Sequence, residues 1–416
     1  HAQTTDWICW TPQGYYMSSP LGDNYIGWQL NRGKEIAPDF FRAVQFERLL
    51  YRPDKVLSHF RHQQGAAPNQ PTASTSFDIA ELALIAPPRV ELEARAEDVS
   101  GSTGQVRLRI SARKTGLPMR DYSVFVNQIP VTPARERMLQ GTDAESFVRE
   151  VDLDMTAVRN DVRVEVFNGA AMALKEMTIS LPSAPRVTPT RGNLYVLAIG
   201  ANQFPNLPRK YALRFAARDA REFAASMQRH AKALFAGVRV RLVTDDNTEK
   251  PRRASVLAAL EFIKDAGPRD TVVVFLAAHG ISDAAGNYYF VPSDAEWSDV
   301  QNLLRGEPPK GQSLIAWTAF FDSLRNSPGR RLLIVDTCQA SNIEGTFDAH
   351  SLAKRSAASQ FALMVAAQGT EDSQEYEVSK HGLFTHAILE GLAGASDANG
   401  DGVVLLQELF DYALAV

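Results

Sequence analysis

The sequence predicts an α/β domain, with a mostly parallel sheet flanked by helices, preceded by an all-β sandwich and a small aromatic-rich β segment. Two patterns lead to this prediction. Apolar and polar residues alternate in short runs between residues 89 and 182, whereas continuous apolar runs separated by helical patterns fill residues 190–416. At 416 residues, 45% of them hydrophobic, the chain is expected to form two or three domains.

Residues 1–63 form the first predicted segment. The stretch DWICWTPQGYYMSSPLGDNYIGWQLNRG contains short strand patterns broken by Pro and Gly, and FFRAVQFERLLY has the pattern of a helix. Because aromatic side chains bury large areas, we expect its Trp and Tyr residues to form a small core. Residues 64–88 are polar and rich in Pro, which is typical of a linker.

Residues 89–182 contain several short alternating runs, among them VELEARAE, QVRLRISARK and VRVEVFN. Alternation with a period of two places the apolar side chains on one face of each strand. Repeated strands of this kind predict an antiparallel sandwich of immunoglobulin type.

Residues 190–416 change the pattern. NLYVLAIG, VRVRLV, TVVVFLAA, RLLIVD and FALMVAA are apolar runs of strand length, and helical patterns such as YALRFAARDAREFAASM lie between them. Strands that are apolar on both faces belong to a sheet covered on both sides, mostly parallel. Ligands bind such sheets at the carboxyl ends of the strands, so we expect the chemistry in this domain.

Composition excludes two classes of function. Lys and Arg number 44 against 48 Asp and Glu, and the basic residues are scattered, so no basic patch for nucleic acid is present. The apolar runs are far shorter than the roughly 20 residues that span a membrane. The two cysteines, Cys9 and Cys338, lie in different predicted domains, which argues against a disulfide framework and predicts a reducing, cytoplasmic location.

Two residues with catalytic chemistry follow buried strand patterns. His279 is the penultimate residue of VVVFLAAHG, and Cys338 ends LLIVDTC. Because the carboxyl ends of neighbouring parallel strands share one edge, we expect the imidazole and the thiol to lie side by side. A nearby imidazole can take the thiol proton and so create the nucleophile. The backbone N–H groups of Gly280 and Cys338 are the expected oxyanion hole.

These blocks resemble those of the caspase-like cysteine peptidases. VVVFLAAHG and LLIVDTCQAS are similar to the His and Cys blocks of that family, and LYVLAIGANQF with ALRFAARDAREFAASM resembles its opening strand and helix. The resemblance covers residues 190–416 and is strongest to metacaspases and bacterial orthocaspases. It implies a cysteine endopeptidase that acts on proteins and needs no cofactor for its chemistry.

The metacaspase branch has an Asp two residues before the cysteine and another in the first helix, which together form the pocket for Arg or Lys. Asp336 and Asp219 occupy these positions, so the resemblance implies cleavage after Arg or Lys. A carboxylate pair gives a guanidinium charge-assisted hydrogen bonds. Gln339, Ala340 and Ser341 depart from the family pattern of His or Arg followed by Ser-Gly, which keeps an inactive relative among the alternatives.

Lys354 and Arg355 lie in a polar loop after Cys338. The family often cleaves itself in the corresponding loop, so the resemblance implies autoprocessing after one of these residues; an uncleaved loop is the alternative. The N-terminal domains are expected to recruit regulatory protein partners or to restrain activity. Two other functions stay open: a gingipain-, legumain- or separase-like peptidase of different specificity, and a non-catalytic interaction module.

The stretch DANGDGVVLLQE, residues 397–408, matches the template of a calcium-binding loop. The expected ligands are Asp397, Asn399, Asp401, the carbonyl of Val403, and Glu408 at the twelfth position. Asp, Asn and Gly also form ordinary capped turns, so both interpretations stand.

His381 and His386 follow the last strand pattern. Their neighbours are not metal ligands at suitable spacing. We therefore expect these histidines to lie in a loop and on a helix surface.

Overall fold

The structure of the protein is a computed structural model. It describes residues 6–19, 22–31, 34–35, 37–63, 82, 84–94, 104–127, 129–132, 136–155, 157–183, 192–267, 269–283, 287–305, 307–327, 329–336, 361–366, 375–376 and 381–415. Two compact units are formed, one from residues 1–132 and 136–186 and the other from residues 187–416. None of the described helices is long and apolar enough to cross a membrane.

The first unit begins with two small hairpins and two helices. Their bounds are β1 Ile8–Trp10, β2 Tyr16–Ser18, β3 Gly27–Leu30, β4 Asp39–Arg42, α1 Glu47–Leu50 and α2 Pro53–Gln63. Buried aromatic rings fill the space between them: Phe46 meets Trp28 and Phe41 edge to face, with centroids 6.0 and 5.7 Å apart. Tyr15, Tyr16 and the two Phe rings are thus buried in a small core, whereas Trp7, Trp10 and Tyr25, also expected there, are exposed.

The sandwich of this unit consists of two antiparallel sheets. Its strands are β5 Arg89–Ala94, β6 Gln105–Arg113, β7 Asp121–Val126, β8 Ile129–Pro130, β9 Ser146–Asp154, β10 Arg159–Phe167 and β11 Met172–Ser180. The sheet orders are β5-β6-β9 and β11-β10-β7-β8. Every second residue of β6 from Val106 to Ala112 is buried, and these side chains share one core with those of β7, β9 and β10.

The segment 1–63 and the sandwich belong to one compact unit, whereas the sequence predicts separate domains joined by a linker over 64–88. The reason is packing between distant residues. Ala171, in the sandwich, and Leu82, in the predicted linker, are buried in the same cluster as Tyr16 and Phe46.

The second unit is built on five parallel strands, which lie in the order β13 Val238–Thr244, β12 Leu194–Gly200, β14 Thr271–Ala277, β18 Arg330–Asp336 and β19 Ala362–Val365. In chain order its elements are β12 Leu194–Gly200, α3 Ala216–His230, β13 Val238–Thr244, α4 Arg253–Glu261, β14 Thr271–Ala277, β15 Gly280–Ser282, β16 Tyr288–Phe290, α5 Trp297–Leu304, β17 Ile315–Ala316, α6 Trp317–Asn326, β18 Arg330–Asp336, β19 Ala362–Val365, β20 Glu375–Tyr376, β21 His381–Gly382, α7 Leu383–Glu390 and α8 Leu406–Ala415. The central strands β12 and β14 are almost wholly buried, which explains why their sequences are apolar without alternation.

Helix α3 lies directly on this sheet. Phe223 stacks on Phe275 of β14 with ring centroids 4.6 Å apart. A Cβ at position 200 would come 2.3 Å from the carbonyl oxygen of Ala216, so only glycine allows the helix to begin this close to β12. The close approach brings the first turn of α3, with Asp219, to the carboxyl edge of the sheet.

Candidate active site

The carboxyl ends of β14 and β18 lie in register. Ala277 pairs with Asp336 in the parallel ladder between the two strands. His279 follows Ala277 by two residues, as Cys338 follows Asp336. Residue 338 lies outside the described residues, so the closeness of the imidazole and the thiol stays a prediction.

His279 is buried and held by a backbone carbonyl. Its Nε2 lies 2.7 Å from the carbonyl oxygen of Tyr211, and its ring lies against Phe204 with centroids 5.0 Å apart. A carbonyl can only accept, so Nε2 carries the hydrogen and, in the neutral ring, Nδ1 has the free lone pair. Nδ1 has no hydrogen-bond partner among the described residues.

Burial lowers the pKa of His279 to about 4, although the hydrogen bond to Tyr211 acts in the opposite direction. The imidazole is therefore neutral at neutral pH. A neutral ring with a free, oriented Nδ1 can accept a proton.

Asp219 and Asp336, the acid pair, converge beside Gly382. Both carboxylates are buried, with residue exposures of 1% and 6%. A Cβ built on Gly382 would lie 2.9 Å from Asp336 Oδ2 and 3.6 Å from Asp219 Oδ2, so both acids border one point. The structure thus brings together two residues that are 117 positions apart and that the sequence analysis assigns to one pocket.

Three further residues hold the acid pair, and sequence reasoning missed them. The hydroxyl of Thr385 donates to Asp336 Oδ2 at 2.5 Å, and the Gly382 N–H donates to Asp219 Oδ2 at 3.3 Å. His381 Nδ1 lies 2.6 Å from Asp219 Oδ1. All three lie in the stretch HGLFT, at β21 and the start of α7.

The expectation for His381 is therefore wrong, because its side chain is buried rather than in an exposed loop: only 7% of it is exposed. His386 lies on α7 with 30% of its side chain exposed and faces Glu390 at 3.5 Å. Among the described residues, no group of three or more His, Cys, Asp or Glu side chains is arranged to hold a metal ion.

Burial also governs the charge of the acid pair. Burial, followed by the charge of the neighbouring Asp219 carboxylate, raises the pKa of Asp336 to about 7. The pKa of Asp219 is raised by burial despite its hydrogen bonds to His381 and Gly382. The hydrogen bond to Asp219 in turn raises the pKa of His381. Two adjacent buried carboxylates thus favour a proton or a cation between them.

A family model of the caspase domain matches residues 194–411, more than half of the chain. The chain belongs to the caspase-domain family. This match over residues 194–411 and the five-stranded parallel sheet confirm the predicted caspase-like α/β fold.

Other comparisons add little to this assignment. No curated protein matches the chain. Among solved structures, β-glucuronidase 3 of Bacteroides uniformis is 11% identical, with a TM-score of 0.17 over 67% of this chain and 32% of its own. A Parabacteroides merdae β-glucuronidase is 10% identical, with a TM-score of 0.17 over 67% and 39%. The chain thus spans about a third of the length of these structures, and TM-scores this low carry no argument about fold or function.

The structure describes only one of the residues predicted for the oxyanion hole and for autoprocessing. Gly280 is buried and begins β15, where it pairs with Phe290. Its part in an oxyanion hole stays a prediction, because the partner N–H of Cys338 is outside the described residues. Lys354 and Arg355 are outside them as well.

The loop 397–408 has the backbone of a tight acidic turn. Asp397 accepts hydrogen bonds from the N–H groups of Gly400 and Gly402, both at 2.9 Å, and Glu408 Oε2 accepts one from Leu405 N at 2.9 Å. Gly402 has a φ of 81°, as the sharp bend at the sixth position requires. The donor atoms are of the kind calcium binds, but they face backbone N–H groups in this conformation, so calcium binding stays a prediction.

Proposed function

We propose that this caspase-domain protein is a cysteine endopeptidase of the metacaspase and orthocaspase branch that cleaves proteins after Arg or Lys. The acid pair beside Gly382, at the sheet edge that also holds His279, is the observation that supports it most. Carboxylates buried at this position favour a cationic side chain and repel an acidic one.

In the proposed reaction, Nδ1 of His279 takes the proton of the Cys338 thiol, and the thiolate attacks the substrate carbonyl carbon. The N–H groups of Gly280 and Cys338 stabilise the oxyanion. His279 then gives its proton to the leaving amine, and water hydrolyses the thioester. The Tyr211 carbonyl keeps the imidazole in the tautomer that this sequence of steps needs.

The pocket in this proposal is the space between the acid pair beside Gly382, which we call the cation pocket. A guanidinium or ammonium group entering it favours the ionised form of Asp336, whose pKa is about 7 without such a partner. Binding of a basic side chain therefore releases protons near neutral pH. Gly382 keeps the space open, since any Cβ would fill it.

The proposal includes autoprocessing after Lys354 or Arg355 and a role for the first unit in regulation by a protein partner, in the cytoplasm. It also keeps calcium binding by the loop 397–408. Isothermal titration tests the calcium site: heat is expected for the wild type and none for an Asp397→Ala, Glu408→Gln double variant. No heat from the wild type at millimolar calcium would exclude the site.

Peptides that differ only in the residue before the scissile bond test the function. The wild type is expected to cleave after Arg and Lys and not after Asn or Asp, and Cys338→Ala is expected to cleave none. Preference for Asn would indicate a legumain-like enzyme instead. An absence of cleavage, together with slow alkylation of Cys338 at neutral pH, would favour the non-catalytic module.

A further inference from the structure

His381 lies beside the cation pocket and contacts two carboxylates. His381 Nδ1 lies 2.6 Å from Asp219 Oδ1, and its Nε2 lies 3.1 Å from Glu222 Oε2. An ionised carboxylate only accepts hydrogen bonds, so with Asp219 and Glu222 both ionised each ring nitrogen carries a hydrogen. This arrangement fits an imidazolium.

Charged groups surround His381 on three elements. Glu222 is also bound to Arg218 at 2.7 Å, and the ring of His386 lies parallel to that of His381 with centroids 6.4 Å apart. The titratable and charged groups that face His381 or its partners are Asp219, Glu222 and Arg218 on α3, Asp336 on β18, and His386 with Glu390 on α7. The backbone of β21 pairs with that of β20.

We propose that His381 is a positioning residue of the cation pocket: its Nδ1–H holds Asp219, and its imidazolium competes with the basic side chain of the substrate. The inference rests on the proposed function, because it needs Arg or Lys to enter between Asp219 and Asp336. On losing its Nε2 proton, His381 keeps the hydrogen bond to Asp219 and leaves that carboxylate with its full negative charge.

The sign of the pH effect follows from this geometry. The hydrogen bond to Asp219 raises the pKa of His381, so the imidazolium persists above the ordinary range. The pocket then binds a basic side chain more tightly as pH rises through that pKa. The effect belongs in KM rather than kcat, because His381 does not take part in the proposed bond-breaking steps.

A His381→Asn variant keeps a hydrogen-bond donor for Asp219 but removes the positive charge of the imidazolium. The amide nitrogen of Asn can donate to Asp219 from near the position of Nδ1, and it is neutral at every pH. At about pH 6 we expect the KM of His381→Asn for an Arg peptide to be about three- to tenfold below the wild-type value. Without the imidazolium the acid pair takes up a proton more readily, which offsets part of the gain in affinity for Arg. The two KM values should converge to within about twofold at about pH 8.5, with kcat unchanged. His386→Asn, the matched control, should follow the wild type.

Two outcomes of this experiment have different meanings. An enzyme that cleaves after Arg, with the same pH dependence of KM in the wild type and in His381→Asn, would overturn the inference and leave the proposed function standing. A wild type that cleaves after neither Arg nor Lys would overturn both.

A second measurement needs no change at His381. The imidazole NMR signals of His381 are titrated in Cys338→Ala protein, with and without agmatine as a guanidinium probe. Agmatine is expected to lower the pKa of His381 by about one, because linkage between the two cations is reciprocal. Agmatine that shifts the Gly382 amide signal without changing the His381 titration would contradict the inference. No binding of agmatine would contradict the cation pocket itself.

Discussion

His279 shows how burial prepares a proton acceptor. An exposed histidine is partly protonated near neutral pH, whereas burial lowers the pKa of this one to about 4. The Tyr211 carbonyl fixes the hydrogen on Nε2, so Nδ1 alone can accept. Its proton affinity is modest, and we therefore expect the imidazolium to form only while the thiolate or the leaving amine is close.

Acid should destabilise the caspase domain through His279. The imidazole of His279 binds a proton below pH 6.5 in the unfolded chain but only below about 4 in the folded domain. The free energy of unfolding is therefore highest above pH 6.5 and decreases as pH falls towards 4. The loss should reach about 3 kcal/mol. Urea unfolding of the wild type and of His279→Gln at several pH values measures it. Equal pH dependence in the two proteins would contradict the assigned burial of the imidazole.

Asp336 should limit stability at neutral pH. Its pKa is about 7 in the folded domain and 3.8 in the unfolded chain. Between these pH values the folded domain keeps the Asp336 proton and the unfolded chain releases it, so the free energy of unfolding decreases as pH rises towards 7. We expect Asp336→Asn to be more stable at about pH 8 by about 1–3 kcal/mol and to lose cleavage after Arg. Thermal unfolding checks this against Asp322→Asn, an exposed acid on α6. A destabilised Asp336→Asn that still cleaves after Arg would refute the assignment.

At the scale of elements, the short strand β21 decides the shape of the pocket. Gly382→Ala would place a Cβ 2.9 Å from Asp336 Oδ2. We expect KM for Arg peptides to rise at least about tenfold, since the methyl group occupies the space of the substrate cation. Gly267→Ala is the matched control, because its Cβ would meet the nearest atom at an ordinary 3.4 Å. Unchanged KM in Gly382→Ala would show that the basic residue binds elsewhere.

The elements of the parallel sheet could be predicted because their signal is local. Strands β12, β14, β18 and β19 are mainly apolar runs of about their observed length, whereas β13, VRVRLVT, is an edge strand that alternates Val and Arg. The shared edge follows from parallel pairing. The places of Asp219 and Asp336 depended on a family resemblance, because no local pattern marks a helix acid as buried. His381 was missed for the same reason, since its partner Asp219 is 162 residues away. The Tyr211 carbonyl was missed because backbone contacts leave no mark in residue type.

At the scale of the whole molecule, the two observed units agree with the domain number expected from length, but the boundary between them differs from the segments expected from composition. Aromatic and polar composition suggested three domains and a linker, but Leu82 and Ala171 are buried with Tyr16 and Phe46 in one core. Composition describes a segment and does not reveal what covers it. The grouping of residues 1–132 and 136–186 follows from contacts between distant residues.

The intact chain should process itself. Lys354 and Arg355 carry the side chains that the cation pocket is proposed to accept, so incubation of the wild type should give two fragments cut after one of them. Intact mass spectrometry of the wild type beside Cys338→Ala and a Lys354→Ala, Arg355→Ala double variant measures this. Identical masses for wild type and Cys338→Ala would exclude autoprocessing.

Covalent labelling with a substrate-like electrophile tests the central claim most directly, because it reports the nucleophile and the pocket together. The wild type, Cys338→Ala and Asp336→Asn are incubated with acyloxymethyl ketones that present Arg or Asp, and adducts are located by mass spectrometry. We predict one adduct from the Arg reagent, on Cys338, absent in Cys338→Ala and much slower in Asp336→Asn. Labelling at another residue, or preference for the Asp reagent, would contradict the proposal.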